Sequence, residues 1–569
     1  MQDYEASVSF LGTWGPFQRR VFLLLCFTSV PCGYNILSVI FLLASPQHHC
    51  YIPDQSNLSQ EWIQASIPLQ VSGQLERSSC SRYQLDLVQN LSEMGMRPSL
   101  HQNLSGSGSE VLLSSLQQES CKDGWTYSTE FYRSTVVTEF DLVCSDQWKQ
   151  PLTSFVYFLG GLSGCFISGL ISDRFGRKPV LFGAIAMLSI FSSAVAFAPS
   201  WPVFTVLFFV LGMGQIACYI VVFVLGSEIL TGSNRVLFSS LCLPFVYVVA
   251  MMLLPATAYL VRNWRQLSLV MAVPGLACIP LWRLVPESPR WLVSQGRLQE
   301  AERLVRSAAL ENQVEPPHVI FLPPNLEKAS SKEVESLSLL DLLRSPKVRC
   351  ITLILWLIWF STSVSYFGLS FNTSGLYGNP YLNYFLLSAV ELPAYFAIWL
   401  ATRSLPRRLS FIAFTLLGVL ALLLIQATPD SQPAFILALV LLGKFGILAG
   451  TGVIYVYTGE VSPTVIRNTA MSTCAMFSRL GSSVSPYMMQ LAVFYVFLPW
   501  IVVASLSLLG VLLCVFLPET FRQPLPDTIE QMPPPQRLRW PWASTPPQDD
   551  GKSAKEQSTA PEIICTTCL

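Results

Sequence analysis

Twelve apolar stretches, each long enough to cross a lipid bilayer, run through this chain of 569 residues. A membrane-spanning helix needs roughly 20 apolar residues. Hydrophobic residues make up 51% of the chain and charged residues 12%, which is typical of a membrane protein and excludes an ordinary soluble domain. The sequence therefore predicts an all-α membrane protein. Its twelve transmembrane helices are predicted near residues 21–43, 150–171, 180–198, 203–226, 237–260, 267–285, 350–370, 382–401, 409–426, 434–457, 468–491 and 496–517.

Basic residues collect in alternate loops, although the formal net charge is zero and nucleic acid is not expected as a partner. They follow the second, fourth, sixth and eighth stretches, at Arg174, Arg177, Lys178, Arg235, 283–349, Arg403, Arg407 and Arg408. The loops between hold few, with Arg262 and Arg265 the main exceptions. Because Lys and Arg concentrate on the cytoplasmic side, both termini are predicted to be cytoplasmic. The first stretch is too long for a signal peptide, so a retained helix is expected.

The segment between the first two stretches, residues 44–148, is predicted to be a large outer loop. It contains three sequons, at Asn57, Asn90 and Asn103, which are glycosylated only if they reach the secretory lumen. It also contains four cysteines, Cys50, Cys80, Cys121 and Cys144. An even number of cysteines in an oxidising compartment predicts two disulfides, and three pairings are possible.

A repeat of about 230 residues divides the chain into two similar halves. Glu228 and Arg235 follow the fourth stretch with the same spacing as Glu460 and Arg467 after the tenth. Two six-helix halves with a site between them near the midplane form an alternating-access architecture. Charged residues at the inner helix ends are predicted to gate it, through bonds made between the halves in one state and released in the other. The predicted gating residues are Asp173, Arg174, Arg177, Glu228, Arg235, Glu287, Arg290, Glu460 and Arg467.

Only three interior positions of the twelve stretches carry a charge, namely Glu391, Lys444 and Arg479. A charge at membrane depth is costly unless it faces protein or a water-filled cavity, so such residues mark substrate or ion pathways. Glu391 and Lys444 are predicted to neutralise each other as a membrane charge pair. Arg479 then remains for the substrate, and a purely structural pairing of Arg479 is the alternative.

Six short motifs recur in a known family. They are Asp-Arg-Phe-Gly-Arg-Lys at 173–178, Pro-Glu-Ser-Pro-Arg-Trp-Leu at 286–292, Trp-Gly-Pro-Phe-Gln-Arg at 14–19, Gly-Met-Gly-Gln at 212–215, Tyr-Val-Tyr-Thr at 455–458 and Leu-Pro-Asp-Thr-Ile at 525–529. These motifs are similar to those of the organic ion transporter branch of the major facilitator superfamily. Together with the outer loop they resemble the organic cation/carnitine transporters over residues 1–532. The resemblance implies the major facilitator fold.

The resemblance also implies a plasma-membrane transporter of small organic cations and zwitterions, such as carnitine or ergothioneine, coupled in some members to sodium. A zwitterion with a carboxylate and a quaternary ammonium needs a guanidinium at one end and aromatic faces at the other. Arg479 matches the family position whose residue separates anions from cations. The remaining predicted substrate contacts are Tyr219, Tyr247, Tyr366, Tyr455 and Gln215. Each tyrosine taken alone is as often a packing residue.

The chain departs from the carnitine branch around the predicted cavity. Cys32 and Cys218 stand where the branch carries Asn, and Thr451 replaces an aromatic residue. Sodium prefers oxygen ligands, so the loss of two amides predicts weak sodium stimulation and weakened carnitine uptake. No cofactor and no bound metal are expected, except sodium as a coupling ion. Residues 226–233 lack the lysine of a phosphate-binding loop, so no nucleotide binding is expected.

The predicted segments are a cytoplasmic N-terminus (1–20), an N-terminal half (21–285) with the outer loop, a cytoplasmic linker (286–348), a C-terminal half (349–517) and a disordered cytoplasmic tail (518–569). Short helices of the linker are predicted to brace the two halves. The final residues Thr567, Cys568 and Leu569 resemble a strand that adds to a PDZ domain, which is one predicted partner beside the small-molecule substrate and the lipid bilayer.

The alternative function is a membrane receptor or scaffold of the same fold that lost transport or changed its selectivity. An enzyme is not expected. The predicted helices contain no histidine, no metal-ligand cluster and no Ser/His/Asp grouping, and all four histidines of the chain lie in loops.

Overall fold

A computed structural model describes residues 7–53, 58–71, 75–95, 97–99, 110–112, 116–321, 346–371, 376, 378–428, 432–463, 466–495, 497–521 and 523. Twelve principal helices run through these residues and are labelled in chain order. They are α1 Pro16–Leu42, α2 Cys144–Phe175, α3 Arg177–Val195, α4 Trp201–Ile229, α5 Asn234–Leu260, α6 Trp264–Arg283, α7 Val348–Phe371, α8 Pro380–Ser404, α9 Arg407–Ala427, α10 Pro433–Val461, α11 Arg467–Val484 and α12 Leu498–Cys514.

Ten of these helices in the described part of the chain, α1 to α10, are long and apolar enough to cross a bilayer. Helix α12 is apolar but shorter. Helix α11 is rich in Ser and Thr and carries Arg467 and Arg479, which lowers its hydropathy. The multi-pass helical architecture is confirmed, whereas a count of twelve membrane-spanning helices stays a prediction.

Two predicted boundaries differ from the observed helices for clear physical reasons. Helix α2 extends from Cys144 to Phe175, beyond the predicted 150–171, because its polar ends project past the apolar core. Helix α11 ends at Val484 rather than near 491. Pro486 has no N–H to donate to the preceding turn, and a separate turn, Tyr487–Gln490, follows it.

The helices form two bundles that meet along one seam. The N-terminal half contains α1 to α6 and the C-terminal half contains α7 to α12. Helix α2 packs against α11, and α5 packs against the first half of α8. One buried cluster crosses the seam, because it combines Phe41, Tyr157 and Phe158 of the first half with Phe367 and Tyr384 of the second.

We call the side of the bundle that carries the segment between α1 and α2 the loop face, and the opposite side the terminal face. The segment itself contains three short helices, Gln60–Ala65, Leu85–Glu93 and Val136–Glu139. Its strands are β1 His48–Cys50, β2 Leu69–Val71, β3 Leu75–Arg77, β4 Ser81–Tyr83, β5 Arg97–Ser99, β6 Glu110–Leu112, β7 Gln118–Ser120 and β8 Trp125–Tyr127. The antiparallel pairs are β1–β8, β2–β3 and β4–β7, and β5 pairs in parallel with β6.

Two disulfides hold this loop together, as predicted. Of the three possible pairings, the structure has Cys50 with Cys121 and Cys80 with Cys144. The sequon residue Asn90 is exposed on the helix Leu85–Glu93. Asn57 and Asn103 lie outside the described residues.

A buried arginine organises the loop interior. The side chain of Arg82 is 3% exposed and donates to Glu119 at 3.0 Å and to Asp123 at 2.6 Å. Its third bond goes to the carbonyl of Tyr51, at 2.9 Å. Since a buried charge is stable only when it is paired, these bonds tie β1, β4 and β7 into one unit.

On the terminal face, the helices Pro289–Ser294 and Leu298–Glu311 pack against the N-terminal half. Glu311 accepts two bonds from Arg20, at 2.9 and 2.7 Å, and Trp291 donates to the carbonyl of Asp173 at 2.9 Å. Asn312 accepts from the backbone N–H of Phe17 at 2.9 Å. These contacts all lie within the N-terminal half, and the predicted brace between the two halves stays a prediction. Residues 322–345 and the predicted PDZ ligand Thr567–Leu569 lie outside the described residues.

Candidate functional site

Glu391 on α8 and Lys444 on α10 form an ion pair inside the C-terminal half. The Lys444 Nζ lies 2.9 Å from Glu391 Oε1, and each side chain is 1% exposed. The Tyr366 hydroxyl of α7 donates to the same carboxylate oxygen at 2.7 Å. The Lys444 ammonium lies 5.1 Å from the centre of the Tyr366 ring. Three helices thus share one compact group, in which the two charges neutralise each other and one tyrosine contacts both.

Arg479 on α11 has a different environment. Its side chain is half-buried, and no described carboxylate lies within ion-pair distance of it. Its backbone carbonyl accepts bonds from the hydroxyls of Ser482 and Ser483, at 2.8 and 2.9 Å. The guanidinium interacts electrostatically with Tyr219 and Tyr247 of the other half. Arg479, which has no carboxylate partner among the described residues, therefore lies near residues of the other half.

The predicted aromatic contacts converge on this region. The rings of Tyr219 on α4 and Tyr247 on α5 lie 5.1 Å apart, edge to face. Tyr219 also interacts with Tyr455 of α10, and Tyr247 with Tyr366 of α7. Tyr219 and Tyr247 thus interact with Arg479, and Tyr455 and Tyr366 of the other half interact with these two tyrosines in turn.

The tyrosines differ in how much surface they offer. Tyr455 is 47% exposed and its ring lies 5.7 Å from that of Trp359. Tyr366 already contacts Lys444 through its ring and Glu391 through its hydroxyl. Tyr457, which was not predicted as a contact, is 1% exposed and packs inside the C-terminal half. Tyr455 is therefore the most accessible of the four predicted aromatic contacts.

Gln215 lies beside the break in α1. Its Nε2 donates to the Cys32 carbonyl at 3.2 Å and to the Tyr247 hydroxyl at 3.5 Å, whereas its buried Oε1 has no partner in the described structure. Pro31 cannot donate to the carbonyl of Phe27, so α1 is interrupted at this level. The structure thus brings all six predicted substrate contacts to the level of the α1 break or the adjoining seam.

Cys32 and Cys218 are also beside the break, and both are completely buried. Their thiols interact with each other. Cys218 Sγ lies 3.8 Å from the Thr28 carbonyl, and Cys278 Sγ lies 3.8 Å from the Phe27 carbonyl. Two thiols therefore contact backbone oxygens at the interruption of α1. Thr451, the third departure, bonds to its own helix at the Ile447 carbonyl.

Tyr395 is a neighbour that the sequence analysis missed. It lies on α8 and interacts electrostatically with Glu391 and with Tyr219 across the seam. The signal was available, because Tyr395 follows Glu391 by four positions and residues with this spacing share one face of a helix.

The predicted gating residues of the first half form a network on the terminal face. Arg177 bonds to Glu228 at 3.0 Å and to Asp173 at 2.6 Å. Glu287 accepts from the backbone N–H groups of Arg177 and Lys178, at 2.9 and 3.1 Å, and so caps the start of α3. Gly176 permits this approach, because its φ is +108° and an added Cβ would lie 2.5 Å from the Glu287 carboxylate.

The second half repeats the network. Arg407 bonds to Glu460 at 2.9 Å, and Glu519 accepts from the backbone N–H groups of Arg407 and Arg408, at 2.9 and 3.1 Å. Arg407 and Glu519 were not among the predicted gating residues. The signal for Glu519 was the recurrence of Pro-Glu-Ser at 286–288 as Pro-Glu-Thr at 518–520.

Arg235 and Arg467 each bond to a backbone carbonyl of their own half. Arg235 donates to the Leu230 carbonyl at 3.0 Å, and Arg467 donates to the equivalent carbonyl of Ser462 at 3.3 Å. Arg174 and Arg290 are exposed. The described networks therefore do not include the predicted ion pairs between halves, because each carboxylate caps or pairs with a helix end of its own bundle.

A cleft of about 200 Å³ opens between the halves near the loop face. It is lined by uncharged residues, among them Leu43, Gln150, Ser154, Phe371 and Gln490. The α1 residues that line the cleft begin about two helical turns after Cys32. The charged and aromatic cluster around Arg479 is therefore a separate place in the seam, and we take that cluster as the candidate site.

Comparison with known proteins agrees with this architecture. Residues 112–532 match the family model described as sugar (and other) transporter. The xylose transporter XylE from E. coli in an inward open conformation superposes with a TM-score of 0.54 at 15% identity, covering 89% of this chain and 98% of that chain. At this identity the likeness concerns the fold alone.

Closer relatives are found among curated proteins. The chain is 46% identical to the rat organic cation/carnitine transporter 2 over 533 residues, which is 94% of each protein. It is 44% identical to mouse solute carrier family 22 member 4, over 94% of this chain and 95% of the relative. It is 32% identical to the fruit-fly organic cation transporter protein, over 93% and 94%. These relatives and the fold are those of membrane transporters and not of enzymes. The chain therefore belongs to the major facilitator transporters, within the family of the organic cation/carnitine transporters.

Proposed function

We propose that this chain is an alternating-access transporter of small organic cations and zwitterions, such as carnitine or ergothioneine, in the plasma membrane. The observation that carries the proposal is the position of Arg479. Its guanidinium lies at the seam without a described carboxylate partner, while the other two intramembrane charges neutralise each other. The names of the relatives, two of which include carnitine or organic cation, support this substrate class.

The two ends of such a zwitterion have matching groups in the cluster. A carboxylate would bond to the Arg479 guanidinium, which offers a planar pair of donors. A quaternary ammonium cannot donate a hydrogen bond and is instead attracted to aromatic faces. Tyr219 and Tyr247 interact electrostatically with Arg479, Tyr455 interacts with Tyr219, and Tyr455 is the most exposed of the three.

The proposed orientation places the loop face outside the cell and both termini in the cytoplasm. Two disulfides and an exposed sequon residue, Asn90, support this assignment, because disulfides persist in oxidising compartments. The basic residues of the loops on the terminal face support it independently.

Sodium coupling is proposed to be weak. Cys32 and Cys218 supply sulfur where the carnitine branch has amide oxygens, and thiols already contact the carbonyls of Phe27 and Thr28. A hard cation such as sodium would have to displace these contacts and bind without the two amides.

The charged networks of the terminal face are proposed to keep each half rigid while the two halves move relative to each other during transport. Each network joins the ends of neighbouring helices of one bundle, at Arg177 with Glu228 and at Arg407 with Glu460. Such networks keep a bundle rigid during a rigid-body movement.

The test is uptake of radiolabelled carnitine into cells, divided by the amount of protein labelled at the cell surface. Arg479→Ala should lower this uptake at least tenfold, because a hydrogen bond to a charged group contributes about 1.5–3 kcal/mol. Arg349→Ala is the matched control, since Arg349 is exposed at the start of α7. Undiminished uptake by Arg479→Ala would remove Arg479 from the site. Absence of any saturable uptake in the unaltered chain, for carnitine, ergothioneine and tetraethylammonium alike, would favour the receptor or scaffold.

A further inference from the structure

Residues 130–134 of the large loop are hydrogen-bonded to the turn between α5 and α6. The backbone N–H groups of Arg133 and Ser134 donate to the Arg262 carbonyl, at 3.0 and 3.3 Å, and Trp264 N–H donates to the Ser134 carbonyl at 3.2 Å. The Arg262 side chain returns a bond to the Glu130 carbonyl at 3.2 Å. We call residues 130–134 the strap. It moves with the N-terminal half, because these bonds all lie within that half.

One side chain of the C-terminal half is inserted beneath the strap. Tyr381, in the first turn of α8, is 5% exposed and donates its hydroxyl to the Phe131 carbonyl at 2.8 Å. Its ring stacks on Phe41 of α1, with centroids 5.5 Å apart and planes at 6°. Tyr132 of the strap and Tyr259 of α5 contact the same ring, each at 5.6 Å. Every one of these partners belongs to the N-terminal half.

We propose that the contact between Tyr381 and the strap is a latch that keeps the loop face of the transporter closed. This inference depends on the proposed transport function only in taking the loop face as the outer face. Opening that face requires the first turn of α8 to separate from α1, α5 and the strap, so the Tyr381 contacts must break. The large loop is then part of the gate, because its backbone supplies the acceptor for the latch.

The expected effect of removing the hydrogen bond alone is moderate. A hydrogen bond of ordinary strength that exists in one state and not in the other biases their populations about 2- to 10-fold. Tyr381→Phe keeps the ring and its stacking on Phe41, and loses only the bond to the Phe131 carbonyl. We expect it to raise the population with an open loop face by that factor.

Cys165 on α2 provides a reporter of this opening. It is half-buried and interacts electrostatically with Arg479, which places it near the candidate site. A charged thiol reagent that cannot cross membranes, applied to intact cells, should label Cys165 about 2- to 10-fold faster in Tyr381→Phe than in the unaltered chain. Tyr259→Phe is the matched control, because it preserves the ring beside Tyr381 and its hydroxyl has no hydrogen bond in the described structure. Cys165→Ser identifies the labelled residue.

This labelling requires no transported substrate, so it separates failure of the latch from failure of the proposed function. Equal labelling rates in Tyr381→Phe and the unaltered chain would overturn the latch. Should Cys165 remain unlabelled in every variant, a second measurement decides. In the double variant Phe41→Cys with Tyr381→Cys, a bifunctional thiol reagent would link the two introduced cysteines and hold the loop face closed. Treatment with this reagent should lower uptake more than tenfold in the double variant and not in either single variant. Uptake that survives the bridge would overturn the latch as well.

Discussion

The ammonium of Lys444 lies 2.9 Å from the carboxylate of Glu391, and the hydroxyl of Tyr366 donates to the same oxygen at 2.7 Å. The pair is inside one half, but Tyr366 packs against buried clusters of both halves. Tyr366 therefore connects the neutralised charge pair with the seam where the candidate site lies. A change at the pair is expected to reach the site through the orientation of this one ring.

Exchange of the two charges tests the pair directly. Glu391→Lys and Lys444→Glu alone should each abolish surface expression or uptake, because removal of one partner of a buried pair costs about 3–5 kcal/mol. The double exchange should restore part of the surface expression and part of the uptake. Surface labelling and carnitine uptake are the measurements. Losses in the double variant that equal the product of the two single losses would show that the residues act independently.

Sodium dependence tests the two cysteines beside the α1 break. Carnitine uptake in sodium medium should differ little from uptake in N-methylglucamine medium. Cys32→Asn together with Cys218→Asn should increase the ratio, because two amide oxygens would return to the place where the thiols meet. Cys474→Asn, a buried position of the other half, controls for a polar residue placed in the bundle. Strong sodium dependence in the unaltered chain would mean that other ligands bind the ion.

The two capping carboxylates of the terminal face should be equivalent in stability. Glu287→Ala and Glu519→Ala each leave the first two backbone N–H groups of a helix, α3 or α9, without their carboxylate acceptor, and loss of a helix cap costs about 0.5–2 kcal/mol. Thermal unfolding of the purified protein should show a lower midpoint for both. Glu300→Ala is the control, since Glu300 is half-exposed and its ion pair in the described structure is with Arg297, at the start of the same helix. If the unfolding midpoint fell in Glu287→Ala but stayed unchanged in Glu519→Ala, the two carboxylates would not be equivalent.

The attachment of the loop to α6 should depend on pH. Burial raises the pKa of Glu139, but hydrogen bonds from Arg265 and Trp264 outweigh it and keep the pKa below its ordinary value. The carboxylate therefore stabilises the docked loop above pH about 4.3, and this contribution is lost as the pH falls through the lowered value. Protease sensitivity of the loop on intact cells measures docking.

Glu139→Gln should increase that sensitivity at pH 7, and its difference from the unaltered chain should shrink towards pH 4. Glu130→Gln, whose side chain is exposed, should behave like the unaltered chain at both pH values. A difference for Glu139→Gln that stays constant with pH would assign the effect to packing rather than to the charge.

The sequence predicted the elements whose signal is local or repeated. Apolar length predicted α1 to α10, and the rarity of charge in the helices identified Glu391, Lys444 and Arg479. The partners of the gating residues could not be predicted in the same way. The equal spacing of charged residues in the two halves is compatible with ion pairs within a half and with ion pairs between the halves. The choice depends on where Arg177 and Arg407 point. The disulfide pairing and the position of Tyr381 beneath the strap likewise depend on contacts between residues far apart in sequence.

Both disulfides begin and end inside the loop segment, and the described terminal-face helices pack against the first bundle. Within the described residues, the two bundles are joined only by packing and hydrogen bonds across the seam. The protein should therefore tolerate being made as two polypeptides, residues 1–321 and 346–569, expressed together. Their co-purification without a peptide bond between them would mean that the seam itself holds enough surface to assemble a split transporter from separate fragments.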